Sequence, residues 1–227
     1  MDGLSNHALG SLRDRRLIDL IQIRKALDTE QVRMIAFANM RSGRRKAQDR
    51  LQKLYARQRV KRLRLEPNAP YIYYSGKRHG RIEHLIMLNW VYIWVERNLK
   101  GWETLQRWDY EFDQGILQAD AFAVIKNTVT DDLRFLFIEM DRSDNEFDKV
   151  SKYNGLYESE NYSWWGQYAK RFPSVLVVTT SAGRLRKIQE TIGRDNRNGL
   201  QFEVYLLDYI KEACSIENNS ILSQPKG

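Results

Sequence analysis

Three acidic residues in the second half of the chain have the types and spacing expected of a metal site. Asp120 opens one strand-like run, and Glu139 and Asp141 close the next, two residues apart. Side chains alternate along a strand, so Glu139 and Asp141 project to the same side of a sheet. If the two runs pair as a hairpin, Asp120 and Glu139 converge at one end and offer oxygen ligands to Mg²⁺ or Mn²⁺.

A lysine follows these carboxylates in the next predicted helix. Lys152 would position an attacking water or stabilise charge on a phosphate. The candidate catalytic residues are therefore Asp120, Glu139, Asp141 and Lys152, with Asp120 and Glu139 as the metal ligands. A structural alternative stays open: Asp120 could cap a strand, Glu139 could pair with a nearby arginine, and Lys152 could be an exposed helix residue.

The elements that must position these residues are predicted over residues 81–210. A mostly buried helix over residues 81–99 is followed by an antiparallel meander with strands near 103–112, 119–127 and 133–141. A helix near 145–159, the strand SVLVVTTS, a helix near 182–192 and the strand FEVYLL complete the pattern. The sequence thus predicts an α/β (α+β) fold with a mixed sheet flanked by helices, and a flexible tail over residues 211–227.

Positive charge is concentrated in the first third of the chain. The 227 residues include 37 Lys and Arg against 29 Asp and Glu, a formal net charge of +8. Residues 1–80 carry 19 cationic against 7 acidic side chains, a net +12, and the remainder carries 18 against 22, a net −4. A cationic module without a hydrophobic anchor predicts a polyanion partner, of which nucleic acid is the commonest.

Three helical patterns and two strand-like runs occupy residues 12–76. The first helix is predicted to end near Leu27, and Asp28 with Gln31 has the spacing of a capping box at the start of the second. Ser42 precedes a third helix that reaches about Gln58, after which VKRLRL and YIYYS read as two strands joined by EPNAP. This order is that of a winged helix-turn-helix DNA-binding domain, with a boundary to the second domain near residues 75–81.

The third predicted helix carries the side chains expected of a DNA reader. Its Arg and Gln side chains would reach base edges, its cationic stripe would meet phosphates, and the following strand would press on the flanking backbone. The candidate DNA-binding residues are Arg44, Arg45, Lys46, Gln48, Arg50, Lys53 and Arg62. The alternative is a solvated basic surface in a protein–protein interaction module, because runs of charge commonly serve only to hydrate a surface.

Composition and motifs argue against several other classes of protein. The single Cys214 cannot form an internal disulfide and residues 1–10 lack the apolar stretch of a secretory signal, so we expect a cytoplasmic protein. The longest apolar run, residues 85–95, contains Asn89 and is far shorter than the ~20 residues that cross a bilayer. The chain has neither a phosphate-binding glycine loop nor two histidines flanking one apolar residue, which argues against an ATP-driven motor and a histidine-metal relaxase.

Eight short motifs lie between residues 28 and 190: TEQVRMIAF, RRKAQDRLQKLYARQRVKRL, EHLIMLN with His84 and Asn89, WDYEF with Trp108 and Glu111, QAD with Asp120, FIEMDR with Glu139 and Asp141, KYNGLY with Lys152 and Tyr157, and FPSVLVVTT. In these pieces the chain resembles the replication-relaxation proteins of bacterial plasmids and mobile elements. The acidic residues and displaced lysine also form a degenerate version of the PD-(D/E)XK nuclease pattern. Gln58 stands where the family often has Gly, and Ala119 where it often has Pro. The resemblance implies a winged helix joined to a restriction-endonuclease-like domain.

These observations predict a DNA-binding protein of a plasmid or mobile element that acts in replication initiation or in DNA relaxation and processing. One form of the prediction is a metal-dependent DNA endonuclease or nickase. The alternative is a non-catalytic DNA-binding regulator or accessory factor whose nuclease-like domain is a scaffold for dimerisation or partner binding. The predicted partner is double-stranded DNA, and no membrane association is predicted. A homodimer reading paired half-sites, and recruitment of host replication or conjugation proteins, stay open.

Overall fold

The part of the chain that the structure describes contains both helices and strands. The computed structural model describes residues 6–142, 145–159 and 171–216. Within them lie seven helices and eight strands, arranged as a mixed α+β protein with a three-stranded and a five-stranded sheet. The chain divides into two units, Met1–Ile93 and Trp94–Gly227, rather than near residues 75–81 as the sequence predicted. None of the helices described is long and apolar enough to cross a membrane.

The first unit holds three helices, a three-stranded sheet and most of a fourth helix. Its elements are α1 (Asn6–Ile23), β1 (Ala26–Asp28), α2 (Thr29–Ala36), α3 (Gly43–Ala56), β2 (Lys61–Leu63), β3 (Ile72–Tyr74) and the start of α4 (Ile82–Arg97). The strands pair antiparallel in the order β1-β3-β2. The predicted third helix is confirmed but ends at Ala56, because Gln58 adopts a left-handed φ of 57°. That conformation suits glycine best.

Local hydrogen bonds decide where α1 ends and α2 begins. The predicted capping box is confirmed: Asp28 Oδ1 accepts from the Gln31 amide at 2.8 Å, and Gln31 Oε1 accepts from the Asp28 amide at 3.1 Å. The predicted end of the first helix near Leu27 is wrong, since α1 ends at Ile23 and Lys25 turns the chain with a φ of 63°. Leu27 lies in β1 and is fully buried. The spacing of apolar residues alone does not distinguish the last turn of a helix from such a short buried strand.

The first turns of α4 are bound to the first unit by polar side chains. The buried Asn89 donates through Nδ2 to the carbonyl oxygens of Arg24 at 3.1 Å and Ala26 at 2.6 Å. Gln31 of α2 donates to the carbonyl oxygen of Ile86 at 2.6 Å. The Asn89 bonds satisfy carbonyl groups next to β1 and the Gln31 bond satisfies one in α4, so both tie this part of α4 to the first unit, which extends to Ile93.

The second unit is built on the five-stranded sheet. Its elements after α4 are β4 (Glu103–Asp113), β5 (Gln118–Asn127), β6 (Leu133–Asp141), α5 (Lys149–Glu158), β7 (Ser174–Thr179), α6 (Ala182–Asp195), β8 (Phe202–Leu206) and α7 (Leu207–Ser215). The strand order is β4-β5-β6-β7-β8. The predicted antiparallel meander is confirmed for β4 to β6, and β7 and β8 add parallel strands joined through helices.

The strand register aligns the acidic residues along one face of this sheet. Phe122 of β5 lies opposite Phe137 of β6, so two residues earlier on β5 Asp120 lies beside Glu139 on the same face. On the other side, Glu139 lies opposite Val177 of β7. The apolar residues of this face pack against α5 and α6 in one buried cluster, which includes Tyr153 and Ile188. The carboxylates therefore continue a packed apolar surface at one end of the strands.

Helix α7 occupies the start of the segment that the sequence predicted to be a flexible tail. The polar composition predicted a flexible tail over residues 211–227, but α7 continues to Ser215. Its residues Ile210 and Cys214 are buried, and Arg97 Nη1 donates to the carbonyl oxygen of Cys214. Helical periodicity places those two apolar side chains on one side of α7. Residues 217–227 lie outside the described part of the chain.

We expect Gly43→Ala to destabilise the first unit. A Cβ at this position would lie 2.4 Å from the carbonyl oxygen of Phe37, a backbone atom that can move only if the turn between α2 and α3 opens. Overpacking of this kind costs roughly 1–3 kcal/mol of unfolding free energy, measurable by urea denaturation. Gly193→Ala in α6 is the matched control, because its added Cβ would meet no atom within 4 Å. Equal stability of the two variants would contradict the close approach.

Candidate functional site

Asp120 and Glu139 come together as the sequence predicted. Asp120 Oδ2 accepts a hydrogen bond from the amide of Met140 at 2.9 Å, which turns its carboxylate toward the end of β6. The negative charge of Asp120 is close enough to Glu139 to raise the pKa of that carboxyl. Two carboxylates on adjacent strands thus share one end of the sheet face.

Glu139 is the buried member of this pair. Its side chain is only 2% exposed, and burial, opposed by the charge of Lys149, raises its pKa to about 7. The Tyr153 hydroxyl donates to Oε1 at 2.7 Å, and Lys149 Nζ lies 3.1 Å from Oε1 and 2.9 Å from Oε2. Lys149 also donates to the carbonyl oxygen of Gln118 at 2.7 Å. A carboxylate, an ammonium and a phenol therefore form one connected group.

Lys149, and not the predicted Lys152, is the lysine that contacts Glu139. Lys152 Nζ pairs with Asp148 at 2.5 Å on the outer side of α5, where its side chain is 43% exposed. Lys149 and Tyr153 are four residues apart and lie on the same side of the helix, over Glu139. The sequence does contain a signal for Lys149: it lies four residues before Tyr153, so both are on the side of α5 that packs on the sheet. Lys152 does not lie on that side.

Asp141 takes part in a different interaction from the one predicted. Its Oδ2 pairs with Arg184 Nε at 2.5 Å, and each side chain is 11% exposed. Arg184 belongs to the first turn of α6, which begins three residues after β7 ends. Asp141 therefore connects β6 to α6, whereas Glu139, two residues earlier, connects β6 to α5. Sequence reasoning gave no role to Arg184, because nothing in its local pattern points to β6.

The carboxylate pair fits a hard divalent cation by donor type. Magnesium is commonly held by one or two carboxylates, with waters and substrate phosphate completing its shell. Asp120 and Glu139 supply two such carboxylates, although Lys149 and Tyr153 already contact Glu139. Among the described residues, no group of three or more His, Cys, Asp and Glu side chains is arranged to hold a metal ion. A metal at this site would therefore use substrate or water oxygens in addition to the protein.

The second candidate surface is the outer side of α3. Ala47, Leu51 and Leu54 of this helix are buried. The exposed predicted residues are Arg44, Arg45, Lys46, Gln48 and Lys53. The side chain of Arg45 is 85% exposed and Asp49, its nearest acidic neighbour, lies 3.9 Å away.

Arg50 differs from the other predicted DNA-binding residues of α3. It is half-buried, and its Nη1 atom lies 3.3 Å from Oδ1 of Asp14 in α1. Arg57 approaches the other oxygen of the same carboxylate at 3.6 Å. This edge of α3 is therefore attached to α1, so Arg50 helps to hold the helix in place while the exposed cations project from it.

Arg62 is stacked between two tyrosines. Its guanidinium carbon lies 4.0 Å from the ring centre of Tyr55 in α3 and 4.1 Å from that of Tyr71. Arg64 covers Tyr71 at 3.9 Å. Arginine stacks readily on aromatic faces because its planar cation is weakly hydrated. The stack connects β2 to α3 and places cationic groups beside the exposed surface of that helix.

Comparisons with protein-family models, with curated proteins and with solved structures found no match to this chain. The resemblance to replication-relaxation proteins therefore stays a prediction, and the functional argument rests on the two surfaces described above.

We expect Glu139→Gln to change how stability depends on pH. The pKa of Glu139 is about 7 in the folded protein against an ordinary 4.5, so its stabilising contribution is complete below about 4.5 and is lost as pH rises through 7. The unfolding free energy of the wild type relative to the variant should fall by about 3 kcal/mol between pH 4.5 and 8, at 1.36 kcal/mol per pKa unit. Urea denaturation with a chelator present measures this difference.

Glu158→Gln is the matched control for the stability experiment. A hydrogen bond from Arg197 lowers the pKa of the exposed Glu158 to about 2, so its titration lies below the pH range tested. Unfolded Glu158 titrates near its ordinary pKa of about 4.5, so the difference between the wild type and this variant should stay flat from about pH 5.5 to 8. A flat difference for Glu139→Gln as well would contradict the raised pKa.

Proposed function

We propose that this chain is a DNA-binding protein of a plasmid or mobile element, with residues 12–76 as a winged helix-turn-helix domain. The observation that carries DNA binding is the exposed cationic side of α3, flanked by the stack of Arg62 and Arg64 on the β2–β3 ribbon. Arg45 and Gln48 would reach base edges, and Lys46 and Lys53 would meet phosphates. Asp49 on the same surface would accept from a cytosine amino group. Replication initiation or DNA relaxation is the setting that the family resemblance implies.

For the second unit, the carboxylate pair is the basis of a proposed metal-dependent phosphodiester cleavage. In such a reaction a water oxygen bonds to phosphorus, the bond to the leaving oxygen breaks, and that oxygen takes up a proton. Asp120 and Glu139 would hold the magnesium or manganese ion, which when bound polarises the phosphate and activates water. Lys149, rather than Lys152, would hold its charge against the phosphate, and Tyr153 would keep the Glu139 carboxylate oriented by its hydrogen bond.

One observation favours the non-catalytic alternative. Both oxygens of Glu139 already lie within 3.1 Å of Lys149, and Tyr153 donates to one of them. A buried carboxylate with such partners can also act only as a structural pair between β6 and α5. The protein would then be a DNA-binding regulator or accessory factor whose second unit supports dimerisation or partner binding, including recruitment of host replication or conjugation proteins.

We expect Arg45→Ala and Lys46→Ala each to weaken binding to double-stranded DNA by roughly fivefold to tenfold. The two side chains lie off the buried face of α3, so neither substitution should unfold the protein. Fluorescence anisotropy over a range of salt concentrations should also show a shallower salt dependence for Lys46→Ala, by about 0.9 in the log–log slope for its lost phosphate contact. Lys211→Ala in α7 removes the same charge from the second unit and should leave affinity unchanged. Unchanged affinity in all three variants would refute the recognition surface.

We expect cleavage or relaxation of supercoiled DNA with Mg²⁺ or Mn²⁺ to depend on the carboxylate pair and on Lys149. Asp120→Asn and Glu139→Gln should abolish it, and Lys149→Met should reduce its rate by about 10²-fold or more. Lys152→Met is the matched control, because this lysine pairs with Asp148 away from the site, and its rate should equal that of the wild type. Intact DNA binding without any turnover by the wild type would support the regulator instead.

A further inference from the structure

A second polar layer lies next to the carboxylate pair and is not used by the proposed cleavage. Asp141 of β6 lies directly opposite Thr179 of β7, two residues beyond the level of Glu139 and Val177. At ~3.3 Å per residue the two levels are about 7 Å apart along the strands. Residues opposite each other in a sheet project from the same face, so Thr179 and Asp141 both face the helices.

The helix above this layer begins at the end of β7. Ala182 is the first residue of the 14-residue α6, and the Ser181 hydroxyl accepts from the amide of Arg184 at 3.2 Å. The first amides of a helix have no acceptor within the helix, and they carry a partial positive charge that favours anions. A Cβ added at Gly183 would meet no atom within 4 Å, so the approach to this first turn is open.

Thr179 provides an independent sign of a ligand. Its side chain is fully buried, and its Oγ1 atom has no hydrogen-bond partner among the described residues. A buried hydroxyl without a partner destabilises a protein, and valine of the same shape would avoid that cost. The hydroxyl projects from the face on which Asp141 holds Arg184, close to where α6 begins.

Arg184 supplies the positive charge of this polar layer, and Asp141 fixes the orientation of its guanidinium group. Its Nε atom is engaged by Asp141, and the guanidinium group carries four further N–H donors in a planar fork. A fork of this kind matches two oxygens of a phosphate. Asp141 thus orients the guanidinium group of Arg184.

We propose that Arg184, the Thr179 hydroxyl and the first amides of α6 form a phosphate-binding subsite. Its ligand is a phosphate group of the same nucleic-acid strand whose neighbouring phosphate would lie at Asp120 and Glu139. The subsite rests on the proposed function for the identity of that ligand, but not for its chemistry. Its binding to inorganic phosphate requires neither the metal nor the cationic surface of α3.

The test is a titration of the full chain with inorganic phosphate, in chelator and at constant ionic strength with chloride as the reference ion. Nitrogen-detected NMR signals of the Arg184 side chain and of the Gly183 amide should shift together and saturate in the millimolar range. Arg184→Gln should weaken binding by about tenfold or more, and Arg184→Lys should restore only part of it because the fork is lost. Arg186→Gln removes the same charge from the exposed side of α6 and should bind phosphate as the wild type does.

Thr179→Val distinguishes a ligand-binding hydroxyl from a merely structural one. Without phosphate the variant should melt at a temperature equal to or above that of the wild type, since an unpaired buried hydroxyl is removed. With phosphate it should gain less thermal stability than the wild type, because the ligand loses one donor. A lower melting temperature together with unchanged phosphate affinity would overturn the assignment of Thr179.

Asp141→Asn separates a positioning role from metal binding. The substitution should weaken phosphate binding in the wild type and have no further effect in the Arg184→Gln background, as expected for residues acting as a unit. Loss of magnesium affinity by calorimetry in that background would instead make Asp141 a metal ligand and overturn the positioning role. Absence of saturable phosphate shifts in the wild type would overturn the subsite even if DNA is cleaved. Saturable binding without cleavage would support the subsite and count against the nuclease.

Discussion

The second unit depends on keeping the carboxylate of Glu139 in a place that water barely reaches. An ionised carboxylate at 2% exposure is stable only where charge and hydrogen bonds replace its hydration. Tyr153 and Lys149 supply part of both from one turn of α5, although burial still raises the pKa of Glu139 to about 7. The register of α5 over the sheet is therefore restricted by chemistry as well as by packing, because the ring of Tyr153 also lies in the apolar cluster against Phe137.

In the first unit, unlike around Glu139, most of the charged side chains of α3 remain exposed. Its cations remain on the surface, and those at the edges of α3 are held by neighbours that restrict where the helix lies. Arg50 reaches Asp14 of α1 on one edge, and Tyr55 stacks on Arg62 of β2 on the other. The helix is thus tied on both sides, while the side chains between remain exposed. Such a surface presents charge in a defined geometry, which a merely hydrated basic helix does not require.

The order of elements was predictable because it depends on local signals. The capping box at Asp28 and the apolar, strand-like runs of β5 and β6 are each encoded within a few residues. The convergence of Asp120 with Glu139 followed from the hairpin that those patterns predict.

The choice between Lys149 and Lys152 could not be predicted from local signals, because it depends on which side of α5 packs on the sheet. The partner of Asp141 lies 43 residues away on α6, and no local pattern specifies such a contact. The sequence did not predict that α7 is buried for the same reason: Ile210 and Cys214 are only two apolar residues, too few to form a recognisable local pattern.

The net charge of the second part of the chain is a poor guide to what its site attracts. Residues 81–227 sum to −4, which would disfavour phosphate if the charges acted from a distance. At the end of β6, however, each buried carboxylate is matched by a cation from the next helix: Glu139 by Lys149 and Asp141 by Arg184. Each cation is directed by its carboxylate, and the amides that begin α6 add partial positive charge beside Arg184. Because short-range hydrogen bonds in a poorly hydrated site outweigh screened charges farther away, the local pairing would decide which anion the proposed subsite binds. The carboxylates thus serve as anchors for the groups that would contact phosphate, and their negative charge is compatible with a nucleic-acid ligand.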